Sequence, residues 1–378
     1  MAVLHSVPDG VEKLKILSAD AQYDLACACS SRGEEHRKRS ADGRWIYPVA
    51  LPYGGTTYLF KTLVSNACAN DCRYCPLREE RDIRRCALSP DETARIFMEY
   101  LRAGKVSGLF LSSGVAGGAD ASMERLVAAA RILRKREKFR GYIHLKVLPG
   151  ASEDAMREAA SLASAVSINI EAPGEKHFRA LSSKKNFLRD VVRPLKFISE
   201  LAQGGCGPER VKQTTQFVVG ASNETDAEII RYAWGLYKRL NLQRVYFSAY
   251  QNGLGSPELP GERAPAPGND LLTREHRLYQ TDWLIRKYGF SEDEIPFGAD
   301  GNLSLEADPK EIWAKRHPEC FPVNVNTASR EELLRVPGLG FVTVKRVIEA
   351  RAARRLRSMT DIGRAGARLQ KAAGYLTF

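Results

Sequence analysis

Three cysteines, Cys68, Cys72 and Cys75, fall within the stretch CANDCRYC, and no fourth follows at a short, regular interval. Thiolates are soft ligands that suit zinc or iron–sulfur clusters. A structural zinc site normally closes with four protein ligands, so three on one loop leave something open. A zinc site completed by Cys86 or by a histidine is one reading of the spacing. The eight cysteines, these three with Cys27, Cys29, Cys86, Cys206 and Cys320, are few for 378 residues and unevenly clustered, which in a reducing compartment favours metal or redox chemistry over a disulfide framework. Cys27 and Cys29 sit one residue apart on a helix-like stretch, where their side chains point apart, so a second cluster is not expected there.

Something must carry that loop. From about residue 57 to 250, short apolar runs alternate with longer amphipathic stretches, the pattern of repeated βαβ units. Strands are expected at 57–65, 108–113, 142–148, 166–171, 214–220 and 244–250, each apolar enough to be covered on both faces. Ser89-Pro90-Asp91-Glu92 reads as a capping box with proline at the first helical position, and Ser152-Glu153-Asp154 opens another helix. Six parallel strands with their helices make a partial barrel, with an open doubly wound sheet as the rival architecture. The cysteine loop follows the first strand directly, on the face where parallel barrels build active sites. After Tyr250, QNGLGSPELPGERAPAPGND breaks both periodicities. Helices near 274–287 and 308–315 then bridge to a basic tail. The expected division is a helical extension at 1–50, a barrel at 51–255, a linker and helical bridge at 256–320, and a small all-α domain at 321–378.

The cysteines carry a resemblance. Cys68-x3-Cys72-x2-Cys75, with Tyr74 before the last, resembles the signature of the radical S-adenosylmethionine (SAM) superfamily. The resemblance implies an α/β partial (β/α)6 barrel in which three thiolates hold three irons of a [4Fe–4S] cluster. The fourth iron chelates SAM, whose reductive cleavage yields methionine and a 5′-deoxyadenosyl radical. It also implies roles at the strand ends. Ser112, Ser113 and Gly114 stand where relatives often carry Gly-Gly-Glu for the methionine ammonium, and the acid is lacking here. Glu171 stands where ribose is bound and Gly220 where the backbone approaches adenine, with Ser248 at the sixth strand. His144 and Lys146 alternate to one face, which can point toward substrate. No catalytic residue emerges beyond these cofactor positions.

The chain carries a net charge of +12, and between residues 330 and 371 eleven Lys and Arg stand against four acids, a concentration that suits a polyanionic partner. There, Ser329 with Glu332 forms a capping box, followed by a short helix, Pro337-Gly338-Leu339-Gly340 and a second helix. The segment resembles a helix-hairpin-helix motif. That likeness implies that Gly338 and Gly340 bare N–H groups to a DNA phosphate, with Lys345 and Arg346 adding charge. Leu333, Leu334, Leu339, Val342 and Val347 are expected to pack the helices together, and TDIGRAGARLQKAAGYL reads as a degenerate second hairpin. A protein-docking module of the same shape is the alternative.

Cysteine loop and tail together resemble radical SAM proteins assigned to DNA modification or repair, found beside a uracil-DNA-glycosylase-like protein. This implies double-stranded DNA as partner, read without sequence preference, and an electron donor such as flavodoxin or ferredoxin. Modification of RNA, especially tRNA, and a non-catalytic iron–sulfur redox sensor on DNA are the alternatives. No run of 18 apolar residues and no signal-peptide core are present, which points to the cytoplasm.

Overall fold

Strands of nearly continuous apolar character need cover on both faces, and alternating helices supply it. The computed structural model describes residues 9–24, 43–51, 55–204, 211–263, 270–363 and 366–378. Cys27, Cys29 and Cys206 lie outside these residues. The chain divides into two units, Met1–Glu224 with Gly235–Glu275, and Thr225–Trp234 with His276–Phe378.

The first unit holds β1 (Ile46–Ala50), β2 (Thr56–Leu63), β3 (Gly108–Ser112), β4 (Tyr142–Lys146), β5 (Ala165–Ser167), β6 (Lys212–Val219) and β7 (Arg244–Ala249). They pair in sequence order, β1 antiparallel to β2 and the rest parallel. A doubly wound sheet reverses its order at a switch point; this one never does, and it curls as an open half-barrel. Helix α1 (Gly10–Asp20) precedes it. Its crossovers carry α2 (Pro90–Arg102), α3 (Ala119–Arg131), α4 (Glu153–Leu162), α5 (Glu175–Leu181) and α6 (Arg193–Gln203), and the last crossover, α7 (Asp226–Leu240), is divided between the two units at Trp234.

Local chemistry starts these helices where the sequence says. Ser89 and Glu92 cap each other's backbone N–H groups at α2, and the Ser152 hydroxyl accepts from Ala155 N at 3.3 Å. Phe60, Leu109 and Ile143 are in register and fully buried, as are Leu111, Leu145 and Val166 in the next such row. The intervening row, Lys61, Phe110 and His144, lies on the opposite face.

Two differences from expectation in the first unit have physical causes. Residues 46–50 form an edge strand where a helical extension was expected; Pro48 is tolerated because an edge strand has no partner on its outer side. β5 is three residues long where 166–171 was expected, because the Thr215 hydroxyl stands in for the ladder. It donates to Ile168 O at 2.7 Å and accepts from Ile170 N at 2.9 Å. Pairing resumes at Glu171, whose N–H donates to Gln216 O at 3.0 Å and whose carbonyl accepts from Val218 N at 2.8 Å.

The second unit takes in α8 (Leu271–Lys287) from His276 onward, and then α9 (Pro309–Arg316), β8 (Val323–Asn324), α10 (Arg330–Arg335), α11 (Phe341–Ala353), α12 (Met359–Ile362), α13 (Ala367–Ala373) and β9 (Leu376–Thr377), with β8 parallel to β9. Its core includes Val325, Leu333, Leu339, Val344, Val347 and Ile362. Val342, expected in that core, is 74% exposed. On a helix it points nearly opposite to Val344 and falls off the stripe that Val344 and Val347 share. Among the described residues no helix is long and apolar enough to cross a membrane.

Candidate functional site

The half-barrel delivers its strand ends to one cleft. Cys68, Cys72 and Cys75 line it, facing Ser112, Glu171 and Ser248 from β3, the extension of β5, and β7. Tyr74, Ser113 and Gly114 line it as well. Nine of the ten residues expected at the cluster and SAM therefore meet in one place.

The cysteine loop is held from several sides. Arg85 donates to the carbonyls of Asn66, Leu77, Arg78 and Arg81. Arg78 joins Cys75 O at 3.1 Å to Leu254 O at 2.9 Å, tying the loop to the segment after β7. A Cβ at Gly114 would lie 2.3 Å from Ala67 O, so only glycine lets the loop seat this closely on the end of β3. Asp71 accepts from both hydroxyls of Ser182 and Ser183 and from Ser183 N at 2.8 Å. Although burial opposes it, these bonds hold the Asp71 carboxyl at about 2.

Asp71 thereby docks residues 182–184 on the cysteine loop, and the next residue, Lys185, reaches the cleft. Its ammonium bonds to the Cys72 sulfur and faces the Glu171 carboxylate. Burial pushes the Cys72 and Cys75 thiols up, and Lys185 works against that shift at both. Glu171 is 5% exposed and sits at φ +65°, a conformation that a non-glycine residue adopts only when its surroundings over-determine it. The resumed ladder supplies that constraint. Glu171 accepts from the Tyr74 hydroxyl, and burial together with this carboxylate pushes the phenol well above its ordinary range. Asn169, two residues earlier on the same face, also lines the cleft and donates to Glu171 at 3.4 Å.

Not every expected residue joins them. Gly220 is absent from the lining; its N–H donates to Glu224 at 2.6 Å, and a Cβ there would lie 2.6 Å from a Leu271 methyl. At φ +86° it is a glycine that a turn and the approach of Leu271 both require. Lys146 lines the cleft, while His144 is buried, bonded to the Ser167 hydroxyl at 2.9 Å and packed 4.4 Å from the Phe110 ring. Cys86 directs its sulfur to Lys13 O at 3.9 Å and does not line the cleft. Among the described residues no three His, Cys, Asp or Glu side chains are arranged around a single ion. Three soft donors on one loop, an ammonium against one of them, and hydroxyls and a carboxylate across the cleft fit an anionic iron–sulfur cluster with a polar organic ligand. Lys185, Asn169 and Asp71 carry no motif that would have singled them out in the sequence.

In the second unit, Ser329 and Glu332 form the expected capping box at α10. Gly338 has φ +85°, and a Cβ on it would lie 2.0 Å from Arg368 O, so this glycine admits the backbone at α13. Gly340 is the N-cap of α11. Lys345 and Arg346 are exposed; Lys345 lies 3.7 Å from Glu349, and Arg346 donates to Ile362 O at 3.4 Å.

Residues 62–233 match the model of the radical SAM superfamily, a little under half of the chain. Members of that superfamily use a [4Fe–4S] cluster and S-adenosylmethionine. No curated protein matches the sequence. Similar solved structures include methylornithine synthase (PylB), with TM-score 0.46 and 15% identity over 67% of this chain and 66% of that one. HydG, a maturase of the [FeFe]-hydrogenase, has TM-score 0.43 and 12% identity, over 57% of this chain and 48% of its own. SuiB of Streptococcus suis has TM-score 0.42 and 14% identity, over 62% and 54%. The chain thus spans about half the length of HydG. At these values the matches bear on neither activity nor substrate.

Proposed function

We propose that the chain is a radical SAM enzyme that modifies or repairs DNA. The observation that carries the chemistry is the meeting of Cys68, Cys72 and Cys75 with Glu171, Tyr74 and Ser112 in one cleft at the strand ends. The three cysteines would hold a [4Fe–4S] cluster that leaves one iron for SAM. When bound and reduced by an electron donor such as flavodoxin or ferredoxin, that pair supplies cleavage of SAM and, through it, hydrogen abstraction from an unactivated carbon.

The chain's own task is to bind and orient. Lys185, against Cys72, offsets thiolate charge in a desolvated place. Glu171, oriented by Tyr74, presents a carboxylate to the ribose hydroxyls. Ser112 and Ser113 offer hydroxyls to the amino-acid head where relatives use an acid. The turn between α10 and α11, with its basic surroundings, would hold a duplex by its phosphates without reading bases.

The test is anaerobic reconstitution with iron and sulfide, then dithionite and labelled SAM. Methionine and 5′-deoxyadenosine should form with the wild type and be lost in Cys72→Ala. Label or product is then sought in duplex DNA, with structured RNA as competitor. Turnover of RNA alone would move the substrate to RNA, and duplex binding without SAM cleavage would favour the redox sensor.

A further inference from the structure

Lys310 belongs to no motif, yet it occupies a decisive place behind the turn between α10 and α11. It is 6% exposed, one residue into α9, whose N-cap is Asp308. Its ammonium donates to Leu334 O at 2.8 Å and to Leu339 O at 2.6 Å, and lies 4.6 Å from the centre of the Tyr288 ring. Leu334 is in the last turn of α10 and Leu339 directly precedes the N-cap of α11. One buried cation therefore grips the backbone on both sides of the turn. Burying an ammonium is costly unless hydrogen bonds or a counter-charge replace its water; here two carbonyls and an aromatic face replace part of it.

We propose that Lys310 is the positioning residue of this turn: by holding the Leu339 carbonyl inward, it aims the Gly340 N–H outward at a nucleic-acid phosphate. The inference rests on the reading of the turn as a nucleic-acid grip. The Leu339–Gly340 peptide is trans; among the described residues the cis bond is Phe321–Pro322. In a planar trans peptide the C=O and N–H point opposite ways, so an oxygen fixed on a buried ammonium fixes the hydrogen too. At the N-cap of a thirteen-residue helix, that hydrogen joins the unsatisfied N–H groups that suit an anion.

Charge enters the same device. Burial pulls the Lys310 amine down to about 7, with the Asp308 carboxylate opposing. The neighbouring groups are Asp308 itself, Glu311 paired with Lys371, Arg335 of α10 paired with Glu294, and Tyr288 just past α8, a phenol that burial raises and Arg368 of α13 lowers. A neutral amine makes weaker hydrogen bonds than an ammonium, so the clamp loosens as pH rises through neutrality.

The experiment measures binding of a short fluorescent DNA duplex to the full chain against salt, for wild type, Lys310→Met, Lys310→Gln and Lys345→Ala. Lys310→Met should weaken binding roughly tenfold, the loss of one hydrogen bond to a charged group. The slope of log Kd on log salt should stay unchanged, because no phosphate-facing cation is removed, whereas Lys345→Ala should reduce it by about one. Lys310→Gln, whose amide can still donate to both carbonyls, should recover most of the affinity. A folded Lys310→Met that binds like wild type overturns the proposal. Should neither Lys310 variant fold, wild-type affinity from about pH 6 to 9 decides: it should fall through neutrality, and a flat profile overturns the proposal. Failure of the wild type to bind any duplex overturns the nucleic-acid reading itself, a different result from indifference to Lys310.

Discussion

Several independent constraints converge on Glu171 in the cleft. Its left-handed backbone, the hydroxyl of Thr215 that interrupts the ladder before it, and the Tyr74 and Asn169 donors all act on one carboxylate. Strain of this kind persists where surrounding structure holds it, and such places are enriched in function. Replacing Glu171 by Gln keeps the shape and removes the charge. SAM binding to reconstituted protein should then weaken by about 1.5–3 kcal/mol, or ten- to a hundredfold. Equilibrium dialysis at matched iron content measures this, and an unchanged affinity would remove Glu171 from the ribose position. Glu171 was legible as a strand end, but the partners that make it special lie at positions 74, 169 and 215, which no spacing rule connects.

At the level of elements, the cysteine loop is a segment without regular structure that behaves as a fixed part. Arg85 gathers four of its carbonyls, Gly114 lets it touch β3, and Asp71 fastens it to residues 182–184. A ligand site on a loop needs such anchoring if the ligands are to be held in place. In the second unit, α11 shows how one residue of offset decides between core and surface. Val347→Ala should cost about 2–3 kcal/mol, since it empties a fully buried position. Val342→Ala should stay within about 0.5 kcal/mol. Urea unfolding of the full chain checks both, and equal losses would contradict the packing described. The capping boxes at Ser89 and Ser329 were visible in advance because they are purely local; the facing of Val342 was not, because both valines fit an apolar helix.

Over the whole molecule, the charge of +12 is unevenly spread, and part of the basic excess of the second unit is engaged internally. Arg335 pairs with Glu294, Arg354 with Asp361 and Lys371 with Glu311, while Arg351 donates to Val325 O and Ala328 O. Lys310 adds a charge whose burial works against folding. Unfolded, it titrates near 10.5, and folded near 7. Between those values the unfolded chain holds the extra proton, so stability from this group should rise with pH across that window and level off above it. The difference in urea midpoint between wild type and Lys310→Met, followed from about pH 6 to 10, should shift in favour of wild type as pH rises; a constant difference would show that Lys310 does not titrate there.

The sequence by itself determined what is local or periodic: three cysteines on one loop, six apolar strands, the capped helix starts and a glycine-bearing turn in a basic tail. Each depends on neighbours within a few positions, and such patterns survive without knowledge of the fold. Tertiary structure alone decided which distant residues meet. Lys185 reaches Cys72 because Asp71 holds the intervening segment, Gly220 makes room for Leu271, and Lys310 closes on a turn more than twenty residues away. The reason is that a buried charge or a close backbone approach is satisfied by whatever the folded chain places beside it, and that placement is a property of packing.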